Sequence, residues 1–237
     1  MDERSIQILE SLVGDFINFG EPVSSRYLCK LHDFGVKEAT VRNELNHLVN
    51  EGYLAQPHIS SGRVPTDKGY LFFVERVLVN LVEEKLSFKE EVSDFKKELS
   101  KRRFKNFIED IADELGNLGV GYSALEDNIY KSGLGGLFDN LLSTYDFNDP
   151  QEIKQIVRDF EALNEKINSL LNFFEKNDEP KVFIGKSPIT KSRRLSVVAD
   201  VYDLDGDRFV LAVIGPKQMD YFKNIKLLKA LREEYKK

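Results

Sequence analysis

One cysteine, Cys29, stands among 237 residues, so the chain can form no internal disulfide. Adding the three histidines, His32, His47 and His58, still leaves too few soft ligands for most structural zinc sites, and no metal is expected. No apolar run approaches the roughly 18 residues that a membrane span requires. The opening Met1-Asp2-Glu3-Arg4 lacks the cationic and then apolar pattern of a secretory signal, so the expectation is a cytoplasmic location without a membrane partner. Neither glycine cluster, Gly116, Gly119 and Gly121 or Gly133, Gly135 and Gly136, has phosphate-loop spacing or a following Gly-Lys-Ser/Thr, so both read as loops. The histidines show no carboxylate pairing in the pattern, and Cys29 falls on an apolar-patterned helix as a core residue. No nucleophilic or acid–base constellation is legible, so the chain reads as a non-enzyme that needs no cofactor.

The net charge of −6 argues against a polyanionic partner until it is read by segment. Residues 1–76 carry 8 basic against 11 acidic side chains, 77–180 carry 13 against 22, and 181–237 carry 13 against 7, so most of the acid lies in the middle. Within 23–70 the counts are 6 against 5, with all three histidines added, which leaves room for a local basic face. At this length two modest domains are expected.

The first fifty residues read as three helices. Ile6, Leu9, Leu12, Val13, Phe16 and Ile17 recur at spacings of three and four between Arg4 and Phe19, and Gly20 ends that helix. Ser24 is the N-cap of a short second helix containing Leu28 and Leu31, Gly35 stops the following turn, and a third helix begins near Lys37. At about 100° per residue, Val41, Leu45 and Leu48 share one side of the third helix, and Arg42, Asn43, Asn46 and Asn50 share the other. Amide and guanidinium groups are those that bond bidentately to base edges in a major groove. The same pattern also suits a merely solvated surface. Gly52, a strand at Tyr53-Leu54-Ala55-Gln56, a tight loop at His58-Ile59-Ser60-Ser61-Gly62 and a return strand at Arg63-Val64 complete a winged helix-turn-helix. Arg63, just past the loop tip, can reach a minor groove or a phosphate, or form a surface salt bridge. A further helix starts near Pro65, with Leu71, Val74, Val77 and Leu78 on one face and Lys68 available to a backbone phosphate.

Gly20-Glu21-Pro22-Val23-Ser24-Ser25-Arg26, Ala39-Thr40-Val41-Arg42-Asn43-Glu44-Leu45, Glu51-Gly52-Tyr53-Leu54 and the run Gln56 to Tyr70 resemble the bacterial heat-inducible transcription repressor family HrcA. The resemblance implies a dimeric repressor that binds double-stranded DNA at an inverted-repeat operator, the CIRCE element, upstream of chaperone operons. A chaperonin is the further implied partner, keeping the repressor folded until heat-damaged proteins compete for it. Carried over by position, Arg26, Arg42, Asn43 and Arg63 take DNA-contacting roles, and with Ser25, Thr40, Asn46 and Lys68 they make up the DNA-contacting candidates. The C-terminal part resembles the family's GAF-like effector region at Val182-Phe183-Ile184-Gly185 and Val213 to Tyr221. Lys217-Gln218 stands where the family usually has Thr-Arg, and the chain is a shortened member whose missing part lies between 80 and 125.

The expected architecture is α+β: a winged helix-turn-helix over 1–76, a helical connector or dimerisation segment over 77–122, and a shortened GAF-like α/β domain over 123–237. In the connector, Phe88, Val92, Phe95 and Leu99 and then Phe104, Phe107, Ile108, Ile111 and Leu115 are helically spaced. Lys101-Arg102-Arg103 between them reads either as a solvated helix face or as a DNA contact. Asp149-Pro150-Gln151-Glu152 is a helix start. Beyond it, Ile153, Ile156, Phe160, Leu163, Ile167, Leu170 and Phe174 form either a coiled-coil-like seam or the face of a helix packed on its own sheet. Phe95, Ile156, Phe160, Leu163 and Ile167 are the dimerisation candidates. Lys181–Gly185, Leu195–Leu204 and Arg208–Gly215 read as strands, the last two joined at Asp205-Gly206-Asp207, and a basic helix follows from Met219. The competing function is a metabolite-responsive regulator, which would require a ligand pocket.

Overall fold

Asp2 opens the first helix, α1 (Glu3–Phe19), because its carboxylate accepts the Ser5 amide at 2.8 Å, and Gly20 closes it in the left-handed region at φ 75°. Ile8, Leu9, Leu12 and Val13 form its buried stripe. The hydroxyl of Ser24 likewise caps α2 (Ser25–Leu31) by accepting the Tyr27 amide at 3.2 Å. Helix α3 (Glu38–Asn50) buries Val41, Leu45 and Leu48, and Gly52 (φ 78°) turns the chain into β1 (Leu54–Ala55). Strand β2 (Val64–Pro65) returns antiparallel with Leu54 opposite Pro65, and α4 (Asp67–Glu83) follows. On α4 the buried side chains are Tyr70, Val74, Val77 and Leu81, whereas Leu71, expected on that face, is exposed. With the helix starting at Asp67, the 3.6-residue period places Tyr70 rather than Leu71 one turn before Val74.

The structure describes residues 1–83, 92–144, 150–174 and 179–235, as a computed structural model. Phe88 and the expected cap Asp149 lie outside the described residues. The chain divides into two compact units, 1–80 and 81–237. The segment expected as a connector contributes two helices and a strand to the second unit: α5 (Ser93–Ser100), α6 (Phe104–Leu115) and β3 (Leu118–Ser123).

The second unit is a five-stranded antiparallel sheet, ordered β4-β3-β7-β6-β5, with β4 at Asn128–Ser132, β5 at Lys181–Ile184, β6 at Leu195–Leu204 and β7 at Asp207–Pro216. The glycine-rich stretch expected as loop is therefore largely the β3–β4 hairpin. Gly119 and Gly121 are strand residues whose missing side chains let α6 approach: a Cβ on Gly121 would meet the Phe209 ring at 2.7 Å and Ile108 at 2.9 Å. Alternate residues Leu118 and Val120, Leu195, Val197 and Ala199, and Val210, Ala212 and Ile214 form one core face. That face is covered by α7 (Leu134–Thr144), α8 (Pro150–Glu161), α9 (Leu163–Lys166) and a 3-10 turn at Ile167–Phe173. Helix α6 and the C-terminal helix α10 (Tyr221–Tyr235) pack with the sheet as well, Phe104 stacking on Phe209 at 4.6 Å. Burial on both faces explains why Val197–Ala199 and Phe209–Ile214 are apolar without alternation.

The seam reading is corrected here. Ala162 separates α8 from α9, and the chain then tightens into the 3-10 turn, so no continuous helix carries the pattern. Ile156, Leu163 and Ile167 are at most 1% exposed inside the unit's own core, and Phe160 packs there against Phe138. The basic triplet is corrected too, because it occupies the α5–α6 turn rather than a helix face. Arg102 adopts φ 55° and donates to Asp207 Oδ2 at 2.6 Å and to Glu126 at 3.2 Å, while Arg103 pairs with Glu98. Asp207, fully buried, also accepts from Ser123 Oγ (2.6 Å) and the Leu125 amide (2.9 Å).

Burial alone would raise the Asp207 pKa, but the Ser123, Leu125 and Arg102 hydrogen bonds and the Arg102 charge outweigh it and hold it below its ordinary value. Its carboxylate therefore adds stability that is complete above the unfolded-state pKa and is lost as pH falls below about 4. Arg102→Ala is expected to cost about 1–3 kcal/mol at neutral pH and to flatten this acid dependence. Urea titrations at pH 7 and pH 3.5, followed by amide exchange in β7, check both effects.

Candidate nucleic-acid interface

The outward side of α3 exposes Arg42, Asn43, Asn46 and Asn50, as its periodicity predicts, with Thr40 half-buried beside them. Arg42 is exposed but occupied. Its Nη2 donates to Glu38 Oε1 at 2.6 Å, one turn earlier, and its Nε to Ser25 Oγ at 3.4 Å. The Ser25 hydroxyl donates in turn to the same Glu38 oxygen at 3.2 Å, and Ser25 itself is buried at the start of α2. Arg26, the next residue, is exposed and makes no ion pair with any described residue. Lys68 is not free: its ammonium donates to the Glu51 carbonyl at 2.8 Å and lies 3.9 Å above the Tyr53 ring.

The loop between β1 and β2 is tied down from inside and from behind. Gln56 Nε2 donates to the Ile59 and Ser61 carbonyls at 2.9 and 3.1 Å, and Ser61 Oγ accepts the His58 amide at 3.0 Å. At Gly62 a Cβ would lie 2.5 Å from the Pro22 carbonyl oxygen, so only glycine lets the loop press on the chain leading into α2. Arg63 and Val23 then exchange backbone hydrogen bonds of 2.8 and 2.9 Å, a third rung beside β1–β2. From that anchored position the Arg63 Nη2 donates to Asn46 Oδ1 at 2.5 Å. Burial, and secondarily the Arg42 charge, lowers the Arg63 pKa. Arg42, Asn46 and Arg63 therefore form one surface of donors and acceptors, with the polar loop rising from its edge.

Several of these features had no signal in the sequence. The Val23 bridge joins two positions 40 residues apart, and Glu38 counts only as an opposing charge in a tally. His32, assigned no carboxylate, has its Nε2 3.0 Å from Asp15 Oδ2, linking the end of α2 to α1. Cys29 is half-buried rather than core, and burial and then Glu38 raise its thiol pKa.

In the second unit, Phe95 retains partial exposure and lines a surface groove of about 360 Å³ with Val92, Glu114, Leu115, Lys223 and Leu227. That volume is at the lower end of small-molecule pockets, roughly 300–1,000 Å³. Among the described residues no group of three or more histidine, cysteine or acidic side chains could hold a metal, and no helix is long and apolar enough to cross a membrane.

Residues 74–225 match the family model described as the HrcA protein C terminal domain. A heat-inducible transcription repressor HrcA of Rhodococcus jostii is 53% identical over 76 residues, which is 32% of this chain and 22% of that protein. One of Clostridium botulinum is 44% identical over 97 residues, 40% of this chain and 28% of that protein. The alignments thus span about a quarter of these relatives' lengths. A crystal structure of a protein described as hypothetical superposes with a TM-score of 0.76 at 15% identity, over 100% of this chain and 98% of that one, and so shares its fold.

Gly62→Ala is expected to push the loop off Pro22 and destabilise the first unit by about 1–3 kcal/mol, the usual range for overpacking. Hydrogen exchange reads it directly: the Val23 and Arg63 amides should lose protection while those of α1 keep theirs.

Proposed function

The chain belongs to the HrcA family, and from that premise we propose that it is a heat-inducible transcription repressor that binds double-stranded DNA. The first unit is a winged helix-turn-helix in which α2 and α3 are the paired helices, α3 enters a major groove, and the β1–β2 loop is the wing. The single observation that carries this reading is the hydrogen bond from Arg63 to Asn46, which makes the loop and the exposed side of α3 one surface. Arg42, Asn43 and Asn46 reach base edges, with Arg42 placed to grip guanine O6 and N7. Arg26, Thr40 and Arg63 contact the backbone or minor groove, Ser25 supports Arg42 from beneath, and Lys68 reaches phosphate only by leaving Glu51.

The operator is an inverted repeat of the CIRCE type, read by a homodimer, because one winged helix covers only a half-site and two add their discrimination. The second unit is a shortened GAF-like effector domain that supplies the dimer contact and the link to the chaperonin. Of the dimer candidates, Phe95 and Phe160 keep surface to offer; Ile156, Leu163 and Ile167 do not.

Arg42→Ala is expected to weaken operator binding by about 1–3 kcal/mol and to relax base preference at one position of each half-site. A specificity ratio left unchanged in competition binding would reject Arg42 as a reader. The wild-type log–log salt slope is expected at about −5 to −7, from six to eight neutralised phosphates per dimer; a slope near zero excludes this surface. Light scattering at micromolar concentration should give twice the 27.3 kDa chain mass, and Phe95→Asp should shift it toward the monomer.

A further inference from the structure

Arg42 is exposed, yet two of its five N–H donors are already spoken for by Glu38 and by the hydroxyl of Ser25, which also donates to Glu38. We infer that Glu38 is a specificity-determining residue: it keeps Arg42 neutralised on unrelated DNA and releases it only to a base edge that offers two acceptors. This inference rests on the DNA-binding reading above.

The physical case has three parts. First, the pair is not there for stability, since an i,i+4 ion pair between side chains 59% and 37% exposed is screened by water and contributes little. Nor does Glu38 cap α3; the N-cap is Lys37, whose side chain makes no cap bond. Second, Glu38 lies in the first turn of α3, where the helix dipole favours an acidic side chain whether or not Arg42 is beside it. Third, the two competitors differ in charge. A phosphate can also grip Arg42 through two oxygens, but it must bring its own negative charge up against the Glu38 carboxylate. A guanine edge is neutral, meets no such repulsion and offers Arg42 two acceptors, so it need only displace the weak intramolecular pair.

Glu38→Gln keeps the size and the acceptor oxygen for Ser25 while removing the charge. The probes are a duplex carrying the CIRCE inverted repeat and a scrambled duplex of equal length and composition. Glu38→Gln is expected to raise affinity for the scrambled duplex about five- to tenfold, with the salt slope on it steeper by about one per bound chain, and to change affinity for the inverted repeat less than twofold. The decisive control is the same substitution in an Arg42→Ala background, where the gain on scrambled DNA should vanish. An equal gain in that background means that Glu38 acts only as a distant negative charge and overturns the inference. So does a loss of inverted-repeat binding confined to one base position, which would make Glu38 a direct reader. If the wild-type protein binds neither duplex, the DNA-binding reading itself fails, and the two failures are told apart. An unchanged melting temperature in each variant confirms that folding is intact.

Discussion

The candidate interface depends on a single residue held at both ends. The backbone of Arg63 is fixed by a reciprocal pair of hydrogen bonds to Val23, in the turn before α2, and its guanidinium is fixed on Asn46 of α3. Without the first, the loop would lose its tie to the chain entering α2 and keep the two residue pairs of β1–β2 and the Thr66 hydrogen bonds to Gly52 and Tyr53. Without the second, the loop and the exposed side of α3 would be two surfaces of unrelated orientation. Gly62 is the permissive condition for both, because the backbone of 22–23 occupies the space that any side chain there would need.

What the sequence disclosed here is what local physics controls. Caps at Ser24, stops at Gly20 and Gly52, the buried stripe Val41, Leu45 and Leu48 and the hairpin around Asp205-Gly206 are each decided within a few residues. The exposed face of α3 followed from the same periodicity. What it hid are partnerships across long separations: Asp15 with His32, Ser25 with Arg42, and Arg102 with Asp207, 105 residues apart. Gly119 and Gly121 misled for a related reason. Glycine in isolation signals a turn, and only the presence of α6 against that strand explains why a strand needs to lack side chains. The apolar series from Ile153 to Phe174 was ambiguous because a repeat of three and four fits both a seam and a core-facing helix; the break at Ala162 lies in backbone geometry that the pattern does not encode.

The two units solve their charge problems in opposite ways. In the second, charges are sequestered: Asp207 receives three donors and Arg232 of α10 meets the buried Asp200, so these groups are committed to the fold. In the first, the ion pairs on the exposed side are shallow and solvent-accessible, as a surface must be if its cations are to exchange one partner for another. A buried pair opposes exchange because the bereaved partner is left in a low dielectric.

The sheet order carries a consequence for the birth of the chain. Strand β3 pairs with β7, so Leu118 and Val120 have their partners only after residues 207–216 have been made, and β3–β4 alone is too small to stand in water. Residues 1–80 form a compact unit of their own, and such units generally close while the rest of the chain is still being synthesised. Translation therefore produces an interval in which a finished N-terminal unit trails an unfinished, adhesive sheet. During that interval the ribosome's pace, more than the native contacts, governs how long the apolar strands stay bare.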